Sequence, residues 1–418
     1  MKVLLIGGGG REHAIAVALS KSPRLTKLYC APGNGGIGQV ATCVPIKATD
    51  VPAMVAFAQE NGIDFVVVTP DDPLALGMVD ALTAAGIPAF GPTKAAAMVE
   101  SSKAFSKSLM AKYNIPTAAY RVFDGDVAEA VAYIRQQGAP IVVKCDGLAL
   151  GKGVVVAQTV EEAEQAVRAM MEDKQFGESG VKVVIEDCMT GPEVTVLAFT
   201  DGKTICPMPA AQDHKRAFDH DQGPNTGGMG AFCPSPNYTP ELAELCMDTI
   251  FRPTVDAMAK EGRPFKGVLY FGLMLTPDGP KVIEYNARFG DPETQPLLAL
   301  LETDLLEIFQ AVAEERLDGI HIQWSRKSAC CVVLASGGYP GQYETGQVIS
   351  GIDRAIEGVQ IHHAGTRRDG DAYQTAGGRV LGVTAVGDTL EQAVEQAYEA
   401  VPLIQFEGIH YRRDIGRK

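Results

Sequence analysis

The chain has 418 residues, 46% hydrophobic and 21% charged, which describes a globular protein of two to four domains and excludes a disordered or fibrous one. Its formal net charge of -14 repels nucleic acids and anionic membranes, so an anionic ligand must be held by local geometry. Nine cysteines, odd in number and without a C-x-x-C pair, argue against a disulfide framework or a zinc ribbon and for reduced thiols in the cytoplasm.

Val3 to Ile6 is an apolar run read as a buried strand; four glycines, Arg11 and Glu12 follow it, so no secretory leader is expected. Arg11–Ser20 is predicted as a helix and Phe65–Thr69 as another strand. Asp72-Pro73 is expected to open a helix, with the carboxylate as N-cap, running through Leu82 to a stop at Gly86. This alternation predicts a doubly wound parallel sheet, within an N-terminal unit spanning 1–118. A small α+β unit is expected over 119–190. It holds a helix (Val127–Gln137, stopped by Gly138), a strand (Ile141–Cys145), a glycine-rich loop and a strand (Val154–Ala157). A helix with a Thr159…Glu162 capping box and a strand, Lys182–Asp187, complete it. From Val194 the pattern alternates as in an antiparallel sheet, in a unit over 191–325. There Gln212–Gly230 is polar with little periodicity, and Pro240 opens a long helix that Pro253 should kink. Gly267–Leu275 and Lys281–Asn286 form a hairpin around Thr276-Pro277-Asp278-Gly279. The last unit, 326–418, mixes strands such as Arg379–Val386 with a helix, Thr389–Val401. No stretch reaches bilayer-spanning length.

Gly7-Gly8-Gly9-Gly10 follows a strand, yet the dinucleotide fingerprint fails, because the third glycine position holds Glu12 or His13. The next strand candidate, Leu25–Ala31, also ends without a carboxylate for a ribose. A glycine turn at a helix N-terminus remains, which suits a phosphate as well as it suits tight strand–helix packing alone. Lys144 to Gly153 is not a Walker A loop: Gly153 follows Lys152, and the glycine spacing is one residue short. A glycine loop flanked by lysines still suits covering a triphosphate, and closing over it on binding, better than it suits an idle hairpin. Lys144 ends an otherwise apolar strand, a costly place for a charge.

Glu284 and Asn286, two apart on a strand, leave the same face, and two oxygen ligands there suit Mg²⁺. By itself the pair reads equally as a polar edge. Arg288 continues the face, and Asp291 and Pro292 are expected to cap and start a helix beside it. Gln212–Arg216 and Gly223–Gly230 are expected to form a substrate-binding loop. Asp213, His214, Asp219, His220 and Asp221 match no familiar metal-ligand spacing. No G-x-S-x-G elbow occurs, and no motif marks a cysteine nucleophile.

Together with GGGGREHA (7–14), PGN (32–34), GPTKAAAMVESSKAF (91–105), VVKCDGLALGKGVVVA (142–157), QDHKRAFDHDQGPNTGGMGA (212–231), RFGDPETQ (288–295) and AGGRVLGVTA (376–385), these features resemble one family over nearly the whole chain. It is the phosphoribosylamine–glycine ligase family of the ATP-grasp superfamily, and RFGDPETQ is its signature. The resemblance implies an α/β and α+β multidomain fold: a Rossmann-like (pre-ATP-grasp) domain, ATP-grasp lid and central domains, and a small C-terminal mixed domain. It implies an ADP-forming carbon–nitrogen ligase of purine biosynthesis. ATP would phosphorylate glycine, 5-phosphoribosylamine would attack the glycyl phosphate, and glycinamide ribonucleotide, ADP and phosphate would leave.

By motif, Lys103 and Lys144 would contact the ATP phosphates under the covering loop Gly147–Gly153, with Gly151 and Lys152 in it. Glu186, Asp187 and Met189 would form the adenine hinge, with Glu193 on the ribose. Glu284 and Asn286 would hold Mg²⁺ or Mn²⁺, and Arg288 would steady the acyl phosphate. Asp213 would meet glycine with Asn225, Thr226, Gly227 and Gly228; Gly9, Gly10, Arg11, Glu12 and Asn34 would lie near the phosphoribosyl group. The implied catalytic set is Arg288, Lys144 and Asp213. Only small-molecule partners are implied, with no nucleic acid and no membrane, for a cytoplasmic monomer or homodimer. The alternative is another purine-pathway ATP-grasp enzyme, a carboxylase or a formate-dependent transformylase, which lacks RFGDPETQ.

Two departures stand out. Many ATP-grasp enzymes carry another carboxylate on the strand before the Glu-x-Asn pair, but Tyr270-Phe271-Gly272-Leu273 has none, which leaves one or two metal ions open. Thr69-Pro70-Asp71-Asp72-Pro73 stands where relatives read Gly-Pro-Glu-x-Pro. Because the chain stops after one ligase length, no fused downstream enzyme is expected.

Overall fold

The computed structural model describes residues 1–148, 153–173, 181–353 and 356–417. The N-terminal sheet has five parallel strands in the order Thr42–Cys43, Lys27–Pro32, Lys2–Gly7, Phe65–Val68, Ala89–Phe90. Its central strand is apolar on both faces because both faces are covered: Leu4 and Ile6 enter one core, Val3 and Leu5 another. Gly8 lies so close to the returning chain that a Cβ there would stand 2.5 Å from Gly33 O. The glycine turn is therefore required by packing.

The helix expected from Asp72 to Gly86 is instead two helices, Asp71–Leu76 and Met78–Ala84. Gly77, at φ +90°, breaks the run, and an interior glycine is the residue that adopts this conformation at least cost. Asp72 lies inside the first turn and caps nothing.

The next sheet runs Tyr120–Asp124, Lys182–Asp187, Ile141–Cys145, Val154–Ala157, and it shares a core with the helices Val127–Gln137 and Val160–Met171. Thr159 caps the second helix by accepting from Glu162 N, but the Glu162 carboxylate reaches past Thr159 to Gln158 N (2.7 Å), so the reciprocal bond of a capping box is displaced by one residue.

An antiparallel sheet follows, in the order Ile205–Pro207, Glu193–Asp201, Lys266–Thr276, Gly279–Asn286. The long helix opened by Pro240 is not simply kinked at Pro253. Its ladder shifts through a π turn over Met247–Phe251, where Arg252 N donates to Met247 O, so the break that proline imposes is absorbed one turn early. The Gln212–Gly230 stretch also carries short strands. Gln212–Asp213 and Gly230–Cys233 join Ser328–Ala335, Arg379–Gly387 and Val359–His363 in one sheet. Strands of two to four residues, one of them paired with Ser328–Ala335, leave no local period to read. Among the described residues no helix is long and apolar enough to cross a membrane.

Three buried histidines join the first helix, Gly10–Ser20, to this last sheet. His363 N donates to His13 Nδ1 (2.7 Å), and the His13 ring lies edge-on to His362 and His363, with centroids 5.8 and 5.4 Å away. Burial lowers all three pKa values, to about 4 for His362 and His363. A histidine whose folded pKa lies below its unfolded value, near 6.5, contributes its full stability above that value and loses it as pH falls toward the folded one. The melting temperature is therefore expected to drop steeply between pH 6.5 and 4, and less steeply in His362→Phe. Equal slopes in differential scanning calorimetry would contradict this.

Candidate active site

Strand geometry places the central acidic pair. Along Gly279–Asn286, Glu284 pairs with Gly272 and Asn286 with Tyr270, while the next pair, Val282–Leu273, skips Ile283. The bulged Ile283 carbonyl accepts from Lys144 Nζ (3.1 Å). Gly272 gives the Glu284 side chain room, since a Cβ there would stand 3.2 Å from Glu284 Cγ.

Lys144 is buried at the end of its apolar strand because it has an anion to meet. Its Nζ lies 2.9 Å from Glu186 Oε1, and Lys107 Nζ lies 2.9 Å from Glu186 Oε2, with all three side chains no more than 5% exposed. Lys107 also donates to Thr117 Oγ1 (2.7 Å), which donates to Val282 O. Burial lowers the Lys107 pKa to about 8, although Glu186 opposes the shift. The sequence reading missed Lys107; its place four residues after Lys103 on the helix Lys103–Lys112 was the available signal. Lys103 Nζ reaches Gly147 O (3.2 Å), and Gly153 O accepts from Cys145 N (2.9 Å). Gly151 and Lys152, with the rest of 149–152, lie outside the described residues. Asp187 N donates to Ala119 O at the exposed end of the Glu186 strand, and Met189 follows half-buried.

Around Glu284 the charges alternate. Burial raises its pKa, but Lys215, Lys144, Lys103 and Arg288 outweigh burial and hold the carboxyl below its ordinary value. Lys215 lies 3.4 Å from Glu193 and 3.8 Å from Glu284. Asp213 sits among Glu293, Glu193 and Glu284, and burial, with Lys215 opposing, lifts it to about 7. Glu293, a signature residue to which the sequence assigns no role, accepts from Tyr270 OH (2.9 Å).

Arg288 does not stand beside a capped helix N-terminus as expected. The helix is Thr294–Leu300, and the Asp291 side chain accepts from Gln295 Nε2 (2.9 Å) and Arg11 N (3.4 Å) and lies 3.5 Å from Arg379. Its long-range partners outcompete the local cap. Arg288 pairs with Glu100 (3.0 Å), while its buried Nε has no protein partner. Burial raises the Glu100 pKa against the pull of Arg288.

The Gly9–Glu12 turn is partly closed by its own side chain: Glu12 Oε2 accepts from Gly9 N (2.6 Å), and Glu12 Oε1 takes Arg11 Nε (2.6 Å) and Thr69 Oγ1 (2.9 Å). Gly10 packs against Gln295, and a Cβ there would stand 2.7 Å from Gln295 Nε2. Asn34 bridges this turn to the C-terminal unit, donating to Gly8 O (3.0 Å) and His363 O (2.8 Å). Asn225 pairs with Arg216, Thr226 bonds Lys215 O, and Gly227 accepts from Arg379 (2.7 Å) and donates to Tyr339 OH (3.0 Å). Gly228, at φ +114°, lies where a Cβ would stand 2.4 Å from Pro292 Cδ, so this loop lies directly on the signature segment.

Glu284 and Asn286 offer a carboxylate and an amide, hard oxygen donors that fit a small divalent cation. No cluster of three or more His, Cys, Asp or Glu able to hold a metal occurs among the described residues, so nucleotide phosphates and water would complete the shell.

Family models for the phosphoribosylglycinamide synthetase N domain, ATP-grasp (A) domain and C domain match residues 1–100, 101–294 and 329–418. The chain is 52% identical over 417 residues to a phosphoribosylamine–glycine ligase of Mesorhizobium japonicum, covering 100% of this chain and 98% of the relative. It is 49% identical over 420 residues to one of Vibrio vulnificus, with the same coverage. A crystal structure of the Thermotoga maritima phosphoribosylamine–glycine ligase superposes with a TM-score of 0.84 at 32% identity, covering 99% of this chain and 100% of that one. A Campylobacter jejuni biotin carboxylase, 14% identical with a TM-score of 0.78 over 99% of this chain and 94% of its own, shares the fold. From motif, fold and full-length similarity alike, the chain belongs to the phosphoribosylamine–glycine ligase family.

Proposed function

We propose that the chain ligates glycine to 5-phosphoribosylamine with ATP, through glycyl phosphate, giving glycinamide ribonucleotide, ADP and phosphate. The supporting observation is that Lys215, Lys144, Lys103 and Arg288 together hold the Glu284 carboxyl below its ordinary value, with Lys215 3.8 Å from it. Phosphoryl transfer needs positioning and charge neutralisation more than covalent chemistry, and that cluster supplies both. Lys103 and Lys144 hold the triphosphate, and the unpartnered Nε of Arg288 is left to donate to the acyl phosphate. Asp213 receives the glycine ammonium. The turn with Gly9, Gly10, Arg11, Glu12 and Asn34 orients the phosphoribosyl group. Mg²⁺ or Mn²⁺ on Glu284 and Asn286 would neutralise charge on the phosphates. The names of the full-length relatives favour this ligase over a carboxylase or a formate-dependent transformylase. Nine free thiols suit a cytoplasmic enzyme.

ADP release is expected to require glycine and 5-phosphoribosylamine together, and neither bicarbonate nor formate should replace glycine. A coupled ADP assay decides it; release unaffected by omitting glycine would overturn the proposal.

A further inference from the structure

Behind the Glu284–Asn286 pair, the Ala287 N–H, the Arg288 guanidinium and the Asn286 amide all meet one buried carboxylate. Glu100 lies in the last turn of the helix Lys94–Ser101, where the helix dipole disfavours an anion. Its Oε2 accepts from Ala287 N (2.7 Å), its Oε1 pairs with an Arg288 terminal nitrogen (3.0 Å), and one end of the Asn286 amide lies 3.0 Å from that same Oε1. The same amide end lies 3.2 Å from Tyr285 O; both neighbours are acceptors, so the nitrogen is assigned to that end and Oδ1 to the other. A carboxylate buried against the dipole is costly unless its neighbours need an acceptor.

Asn286 needs one. The two ends of a primary amide have nearly the same shape, so the strand can place the group without deciding which end faces outward. A neighbour that only accepts draws the nitrogen toward itself and leaves Oδ1 pointing away. Resting on the metal pair proposed above, we infer that Glu100 is a positioning residue: it makes Asn286 present its oxygen, not its NH₂, to the cation, and holds Arg288 through a terminal nitrogen so that Nε stays unused. Glutamine cannot substitute, because all three neighbours donate, and one of them would meet the glutamine NH₂.

The test measures Mn²⁺ binding by electron paramagnetic resonance on the full chain with a non-hydrolysable ATP analogue, so that no turnover is needed. Glu100→Gln is expected to weaken Mn²⁺ binding about ten- to a hundredfold, the usual effect of removing a group that orients a metal ligand. Added to Asn286→Ala, it should weaken binding little further, because its effect runs through Asn286. Glu100→Gln combined with Asn286→Asp should recover most of the affinity. The amide at 100 then donates to the carboxylate at 286, which shows the cation an oxygen whichever way it turns, and the net charge is unchanged. Thermal melts report whether each variant is folded; if Glu100→Gln alone does not fold, the paired variant carries the test. Normal Mn²⁺ binding by folded Glu100→Gln, or none by the folded pair, overturns the inference. Absence of Mn²⁺ binding by the unmodified chain overturns the metal pair itself, and the inference with it.

Discussion

Glu284→Ala is expected to lower kcat for glycine-dependent ADP release by about 10³-fold or more, while the melting temperature changes little. The magnitude follows from the several kcal/mol of charge stabilisation that a bound cation supplies, at about 1.4 kcal/mol per tenfold in rate. The small structural effect follows from the position: the side chain is partly exposed, its ion pair with Lys215 spans 3.8 Å, and the strand keeps its ladder through Gly272. Steady-state kinetics beside calorimetry separates the two effects. Turnover within tenfold of the unmodified chain would move the metal site elsewhere.

Glu186→Ala is expected to have the largest effect on stability. It leaves Lys107 and Lys144 buried without their counter-ion, and breaking a buried pair in this way costs about 3–5 kcal/mol. A lysine whose folded pKa lies below its unfolded value destabilises the fold most while the unfolded chain holds its proton, so stability is regained as pH rises. With Lys107 already lowered to about 8, the loss in Glu186→Ala should shrink between pH 7 and 10. Urea unfolding at both pH values measures this; a loss that grows with pH would show that the lysines are not what the carboxylate neutralises.

Much of the fold follows from local pattern. The strands Ile141–Cys145, Val154–Ala157 and Lys182–Asp187 and the helix Val127–Gln137 begin and end where apolar runs, caps and Gly138 place them. Elsewhere the local pattern does not decide. The Asp71–Ala84 run divides at Gly77, the Pro240 helix shifts register before Pro253, and Asp291 leaves its cap for Arg379 and Gln295. The first two are local choices among conformations that the residue types permit, whereas at Asp291 other partners outweighed the cap.

The site divides the same way. Alternation along one strand puts Glu284 and Asn286 on a shared face, and a lysine closing an apolar strand announces that an anion waits nearby. These are properties of neighbouring residues, and the amino-acid sequence determines them alone. That the anion is Glu186, that Lys107 shares it, and that Glu100 faces Asn286 across 186 positions of chain were decided only when Lys182–Asp187 paired with Ile141–Cys145 and the helices Lys103–Lys112 and Lys94–Ser101 packed against the sheets. Ion pairs and hydrogen bonds in a buried space form between whichever groups packing brings within about 3 Å, and no local period records that choice.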